Sequence, residues 1–543
     1  MKKIFLGCGL ALAALGANAQ SALDAYQFNQ ADLKGTARFM SMGGAFGALG
    51  GDMTTLSQNP GGLGIYRSSE IGVTVNFDIQ NYTTNSDITM KGSDFKFLLN
   101  NVGYIGSINL NNSVMPYFNW GFTYNKAASF NRKYDGAISL SNSMSNYIAG
   151  VSNANNLTVG DVTTTDHYDP YNPNDGGYVS PWISILGYDS YLVNPIGRDA
   201  NTHWNGLWGN NTTGVGRFSV LETGGIDEYN ISFGGNIKNV VFWGMDFGIT
   251  SIAFNQSVLW GEKLNGANIS NPDGSTVVTE ANWNIHNRYM VRGTGFNYKL
   301  GFIVKPIQEL RLGFAFHTPT WYALEEEYIA STEYDYPDTD IRPGSAMTND
   351  GYWGYNDYKY RTPWKIIASA AGVIGSKFII SGDYEWSNYQ DMNLSSYNEF
   401  GWGFNSDILP DFYYENQDID NYYQATNTVR LGAEYRVLPE VSLRAGYANV
   451  SSPVKQEVRD NAMTMYTAGT NPSYALDNTT NYVTCGVGFR SKGFYCDLAY
   501  VYRNRSSEWH AFTPDPETPS VKSPQAKVTS ENHQIALSMG FRF

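Results

Sequence analysis

The last ten residues, Gln534-Ile535-Ala536-Leu537-Ser538-Met539-Gly540-Phe541-Arg542-Phe543, decide the fold. Ile535, Leu537, Met539, Phe541 and Phe543 are apolar, and the residues between them are small or polar. A helix turns about 100° per residue and would scatter those five groups, whereas an extended chain puts them all on one side. The same alternation runs through Ile71, Val73, Val75, Phe77 and Ile79, through Val429, Leu431, Ala433, Tyr435 and Val437, and through Val441, Leu443, Ala445 and Tyr447. Fourteen such segments recur, near 69–79, 102–110, 117–126, 229–237, 241–254, 290–305, 309–317, 358–373, 377–386, 427–437, 440–448, 480–490, 493–503 and 533–543. Most have nine to eleven residues, the length a tilted strand needs to cross the hydrocarbon layer.

The connections alternate strictly. Short gaps at 111–116, 238–240, 306–308, 374–376, 438–439 and 491–492 follow long ones such as 80–101, 127–228 and 255–289. A soluble sandwich has no reason to gather every tight turn at one end. A transmembrane barrel has short periplasmic turns and long external loops, and its closure satisfies every backbone group. The expected fold is therefore all-β, a transmembrane antiparallel β-barrel of 14 strands. Trp120, Trp243, Tyr298, Trp364, Tyr384, Trp386 and Tyr500 fall toward strand ends, where amphipathic rings favour the headgroup zone.

Composition agrees. The 543 residues carry 36 Lys+Arg against 50 Asp+Glu, a net charge of −14 and 15% aromatics. An acidic chain without a basic patch is no nucleic-acid binder. After residue 20 no apolar run approaches the ~18 residues of a membrane helix. Met1-Lys2-Lys3, the apolar run Ile4–Gly16 and the Ala17-Asn18-Ala19 cleavage site make residues 1–19 a signal peptide. Cys8 lies too early in that run for lipidation. Cys485 and Cys496 show no metal-ligand spacing. A disulfide is conceivable there, but two unpaired thiols facing lipid is the favoured reading.

Residues 20–68 are dense in Gly, Ala and Met and precede the first strand, which opens the barrel domain 69–543. So short a segment cannot build a core of its own, and a fourteen-strand lumen needs an occupant or is an open pore. The segment is expected to plug the barrel.

Ala37-Arg38-Phe39-Met40-Ser41-Met42-Gly43-Gly44-Ala45-Phe46, followed by Asp52 and Asn59-Pro60-Gly61, resembles the amino-terminal hatch of the FadL/TodX family of outer-membrane transporters for long-chain fatty acids and aromatic hydrocarbons. That hatch carries an Asn-Pro-Ala motif. Asn59 and Pro60 match it, and Gly61 departs from Ala. Arg311–Pro319, Thr362-Pro363-Trp364, Asp383–Trp386 and the terminal Phe543, an assembly signal, echo the family further.

The resemblance implies transport of hydrophobic small molecules through an apolar lumen pocket against the hatch, with sideways release into the membrane. Phe39, Met40, Met42, Phe46 and Leu49 are the expected pocket residues, and Asn59, Pro60 and Gly61 the hatch motif. The implied partners are the substrate, outer-membrane lipids and lipopolysaccharide, and the barrel assembly machinery, with the chain a monomer in the cell outer membrane. No cofactor, metal or catalytic residue is expected, because no HExxH, GxSxG or P-loop motif occurs. Two other readings stay open: a surface receptor for a haem-type porphyrin, and an adhesin or structural barrel built around loop 127–228. Arg430, Glu434, Arg436, Arg444 and Asp497 are expected to pair within the lumen, and Glu325-Glu326-Glu327 to lie in a solvated loop.

Overall fold

The computed structural model describes residues 21–172, 180–196, 202–271, 275–375, 377–396, 412–460, 465, 467, 469–513 and 523–543. The expected signal peptide lies outside them. Fourteen antiparallel strands close into a barrel. The seam pairs the last strand, Gln525–Arg542, with the first, Glu70–Asn85. In it Ile71 faces Phe541, Val73 faces Met539 and Phe77 faces Ile535. These alternating apolar residues are exposed on the outer face, as a lipid-facing surface requires.

All fourteen expected strands are present, but the fourth, fifth and sixth are far longer on the external side. They run Thr213–Ile237, Val241–Ser270 and Thr276–Val304. Along the fifth, the outward set changes from Val241, Trp243, Met245, Phe247 and Ile249 to Ser251, Ala253, Asn255 and Ser257. At about 3.3 Å per residue and a tilt near 40°, Val241 to Ile249 rises roughly 20 Å along the membrane normal. The remaining length stands in water. Its alternation persists inward, so only the polar outer side hides it from a search for apolar repeats.

Loop 127–228 is correspondingly shorter than expected, because strand occupies Arg132–Ser139 and everything from Thr213 onward. Its middle folds into an external lobe. Helices Met144–Ala154 and Trp182–Asp189 and a short hairpin, Asn194–Ile196 with His203–Asn205, pack on the tall strands. Trp204, Trp260 and Trp509 are fully buried in that core. Glu325-Glu326-Glu327 is strand, within Trp321–Asp335. Glu326 points inward and is buried, away from the solvent expected for it. Cys485 faces Tyr500 and Cys496 faces Phe489 across one ladder. Both are free thiols.

Glu262 ties the lobe to the wall. Its carboxylate accepts from Ser143 Oγ at 2.5 Å, the Met144 amide at 2.8 Å and Trp260 Nε1 at 2.9 Å. The first two are at the amino end of helix Met144–Ala154, where backbone donors lack helical partners. Glu262→Ala leaves buried donors unpartnered at about 1–3 kcal/mol each. Amide exchange over residues 143–153 should then rise at least tenfold, with the barrel itself unchanged.

His510 ends the thirteenth strand, Phe494–His510. It is fully buried, with no partner on either ring nitrogen among the described residues. It stacks on Tyr474 at 4.8 Å. Burial pushes the imidazole down from 6.5 to about 4. The folded chain keeps it neutral while the unfolded chain protonates below pH 6.5, so its contribution is complete above 6.5. That contribution, roughly 3 kcal/mol, is lost as pH falls toward 4. Glu262, whose carboxyl burial pushes up to about 7, acts with the opposite sign. The difference between wild type and His510→Phe in proteolysis of the lobe should therefore grow as pH drops from 6.5 to 4.

Candidate functional site

The plug is held by backbone meeting backbone. Helix α1 (Ala22–Phe28) stands high in the lumen, and α2 (Ala37–Ser41), α3 (Thr55–Gln58) and a 3-10 turn, Pro60–Ile65, lie lower. The Asn59 side chain donates to the Gly47 carbonyl at 2.5 Å and the Phe302 carbonyl at 3.3 Å, and it accepts from the Gly61 amide at 3.0 Å. Gly244 and Gly301 face each other across a wall ladder at this point. A Cβ on Gly301 would overlap Asn59 Oδ1, and one on Gly244 would overlap the Pro60 carbonyl. A Cβ on Gly61 would stand 2.9 Å from the Gly301 carbonyl carbon, which is the physical reason for Gly where the family motif has Ala. Gly432 and Gly446, also cross-strand partners, receive Met42 and Gly43 in the same way.

Charges complete the seal. Arg38 of α2 reaches Glu434 at 3.0 Å, and Arg444 bridges Glu434 at 2.8 Å and Asp497 at 2.6 Å. Removing one member of a buried set strands the others, a larger penalty than the set's net gain. Of the expected network, Arg430 pairs instead with Glu385 at 2.8 Å, and Arg436 lies exposed at a periplasmic turn, where the parity of its strand ends. Lys34 and Arg311, absent from that expected network, also join plug to wall: Lys34 pairs with Asp78 at 2.8 Å, and Arg311 donates to the Leu49 carbonyl at 2.7 Å.

Helix α1 separates two chambers. The outer, about 110 Å³, is lined by α1 residues Leu23, Asp24 and Tyr26 and by a mixed wall in which Tyr134, Phe254, Tyr289 and Trp509 alternate with polar and charged groups such as Arg132, Glu222 and Arg288. The inner, about 260 Å³, begins at Phe28 and runs down to Phe39, Thr54 and Gln58. The hydroxyls of Tyr423, Tyr360 and Tyr389 donate to the carbonyls of Ala22, Ala25 and Asn29 at 3.0, 2.7 and 3.3 Å. Tyr26 donates to Asp477 at 2.8 Å.

The inner chamber is more polar than an apolar lumen pocket. Glu228, Lys299, Glu385, Arg430 and Asp32 line it, each ion-paired. Lys365 lines it too, with no carboxylate within 4.0 Å among the described residues. Of the expected pocket residues, Phe39 is on the chamber wall. Met40, Met42, Phe46 and Leu49 are buried in the core between plug and wall. Phe543 is exposed at the barrel rim, its carbonyl accepting from the Ser69 amide at 3.0 Å.

The chamber meets the wall where the ladders fail. The seventh strand runs Leu310–His317 and resumes at Trp321; the eighth runs Gly354–Arg361 and resumes at Lys365. Pro319 and Pro363 sit in the two breaks, where proline offers no N–H to a ladder. The ninth strand, Phe378–Asn388, gives way to a 3-10 turn, Tyr389–Asp391, before pairing resumes at Asn393. Thr318, Thr320, Thr362, Pro363, Ser387 and Tyr389 all line the inner chamber. In the seventh strand the alternation stops before Pro319, so reading it outward ends that strand early, whereas the eighth reads through Pro363 as the single segment 358–373; the Thr-Pro pairs mark both interruptions.

Gly301→Val tests the docking. Overpacking costs about 1–3 kcal/mol and shifts the docked-to-displaced ratio about tenfold or more. Leakage of a small hydrophilic dye from proteoliposomes should rise accordingly, with the barrel still folded.

Residues 231–489 match the family described as outer membrane protein transport protein (OMPP1/FadL/TodX). Among solved structures, a FadL homologue of Pseudomonas aeruginosa aligns at 13% identity and TM-score 0.51, over 94% of this chain and 99% of that one. The toluene transporter TodX of P. putida aligns at 13% identity and TM-score 0.50, over 94% and 99%. These likenesses show the fold. No curated protein matches the sequence. By the match over residues 231–489 and the fold of its fourteen-strand barrel, the chain resembles the outer-membrane transport proteins of the OMPP1/FadL/TodX family.

Proposed function

We propose that the protein carries hydrophobic small molecules, fatty acid-like or aromatic, from the external medium into the outer membrane. The observation that carries this reading is the inner chamber's contact with three neighbouring wall strands at the height where their ladders break. A water-filled pore gives an aliphatic chain no favourable path, since each CH₂ gains about 0.8 kcal/mol by leaving water. A chamber that opens sideways offers one.

The outer chamber, whose rings stand among polar groups, captures the molecule, α1 yields, and the inner chamber passes it to the break. Phe39 is the hatch's apolar contribution to that path. Lys365, beside the break and without a counter-ion within 4.0 Å among the described residues, favours a substrate that ends in a carboxylate. The hatch body need not move. The family neighbours named for toluene and for monoaromatic hydrocarbons support the substrate class.

Two variants test the route. L49C/R311C, bridged by a short bis-maleimide, locks the hatch body to the wall where Arg311 now donates to the Leu49 carbonyl. Cells carrying the bridged pair should still take up a labelled long-chain fatty acid. Thr320→Trp, which fills the chamber at the break, should reduce that uptake to the level of cells without the protein, and Ser387→Trp provides an independent occlusion. Full uptake in both tryptophan variants would refute lateral release; loss only in the locked variant would assign passage through a displaced hatch.

A further inference from the structure

The periplasmic rim carries a pattern that the transport path does not use. Lys238, Lys305, Lys377, Arg436 and Lys492 sit in or beside five of the six tight turns, and Arg490 adjoins the last of these as well. The same turns hold only two carboxylates, Glu309 and Glu440, in a chain whose net charge is −14. None of the five cations forms an ion pair within 4.0 Å among the described residues. The Lys305 ammonium donates to Gln308 Oε1 at 3.0 Å.

Two further observations accompany the charge. Lys238 and Lys492 have φ of 53° each. That left-handed conformation is uncommon for a long side chain, and tight hairpins usually assign it to Asn or Gly. The amine is therefore present where local backbone preference opposes it. Each cation also has an exposed aliphatic or aromatic neighbour at its turn: Val240, Ile307, Ile374, Leu438 and Phe494. An apolar tip beside a long cationic stem suits the boundary between acyl chains and phosphates, where the tip enters lipid and the charged head stays in the headgroup layer.

From these placements we infer that the periplasmic rim binds anionic phospholipid, with its turn cations against the phosphodiester headgroups of the inner leaflet. The geometry favours lipid over an acidic protein. The cations are spread around the wall, about 10 Å apart at two strand spacings per hairpin, rather than gathered in one patch that a folded partner could cover. The apolar neighbours would be idle against a soluble acidic surface but are buried by a bilayer.

The full chain in nanodiscs of mixed phosphatidylglycerol and phosphatidylcholine provides the test, with co-retained lipid counted by native mass spectrometry. Wild type should retain phosphatidylglycerol several-fold above its bulk ratio, and the enrichment should fall as salt rises. K238Q/K305Q/K377Q/R436Q/K492Q should lose the enrichment. Single substitutions serve if the fivefold variant fails to fold, each removing part of it. Exchanging the external acids instead, in E325Q/E327Q, should leave it unchanged. No enrichment in wild type, or enrichment that survives loss of all five cations, would overturn the inference. Sedimentation with purified peptidoglycan in the absence of lipid enrichment would do so too, by assigning the ring to an acidic polymer.

Discussion

A backbone in hydrocarbon must satisfy its own hydrogen bonds, and the rest of this structure follows from that constraint. It forces the first strand onto the last and leaves no edge. It also decides what a break in the wall must look like. At Pro319 the regular ladder of the seventh strand is interrupted, and threonine hydroxyls supplement the backbone bonds that remain, from Thr318 N to the Tyr298 carbonyl at 2.9 Å and from Thr362 N to the Thr320 carbonyl at 3.0 Å. Thr318 Oγ1 accepts from the Tyr298 amide at 3.0 Å, and Thr362 Oγ1 accepts from the Thr320 amide at 2.8 Å. The Thr-Pro pairs thus interrupt the ladders and bridge the interruption. A proline alone would leave unpaired amides facing lipid at several kcal/mol each.

Closure creates a lumen, and the lumen requires a plug whose shape the wall dictates. The inward face opposite the hatch loses its side chains at Gly244, Gly301, Gly432 and Gly446, so that plug backbone rests on wall backbone. Close approach of this kind excludes water and leaves polar backbone atoms needing partners, and Asn59 provides them on both sides. The shared ion set of Arg38, Glu434, Arg444 and Asp497 extends the same interlock.

What the sequence discloses depends on which physical rule each residue obeys. In the membrane, one face meets lipid and the other the lumen, so period-2 alternation is strong, and all fourteen crossings were legible in residues such as Ile535–Phe543. Above the membrane the outer face meets water, the contrast weakens, and the tall extensions of the fourth to sixth strands read as loop. The hatch was legible through its Gly/Ala/Met density and Asn59-Pro60. The polarity of the inner chamber was not, because Glu228, Lys299, Glu385 and Arg430 come from four strands and only closure brings them together. Met40, Met42 and Phe46 read as ligand-contacting because they are flexible or large, yet those qualities serve equally to fill the joint between plug and wall.

The two parts of the plug differ in how firmly they are held. The lower part is fixed by overlapping backbones, and its displacement would expose glycine-lined wall, a buried apolar core and a shared ion set together. Helix α1 is held chiefly by hydroxyl groups: three wall tyrosines donate to its carbonyls and to Asn29, and its own Tyr26 donates to Asp477. The three to carbonyls contribute about 0.5–1.5 kcal/mol net each and the one to the ion-paired Asp477 about 1.5–3 kcal/mol, all offset in part when water or a polar ligand replaces them. Its buried Phe28 rests against Phe254 and Tyr360 in aromatic contacts that another ring could reproduce. An aromatic or amphiphilic molecule in the outer chamber can therefore substitute for what α1 loses on moving, whereas nothing arriving from outside can substitute for the glycine interlock below. On the proposed route the upper segment is the part of the plug that a ligand would displace, and the interrupted ladders lie just beyond it.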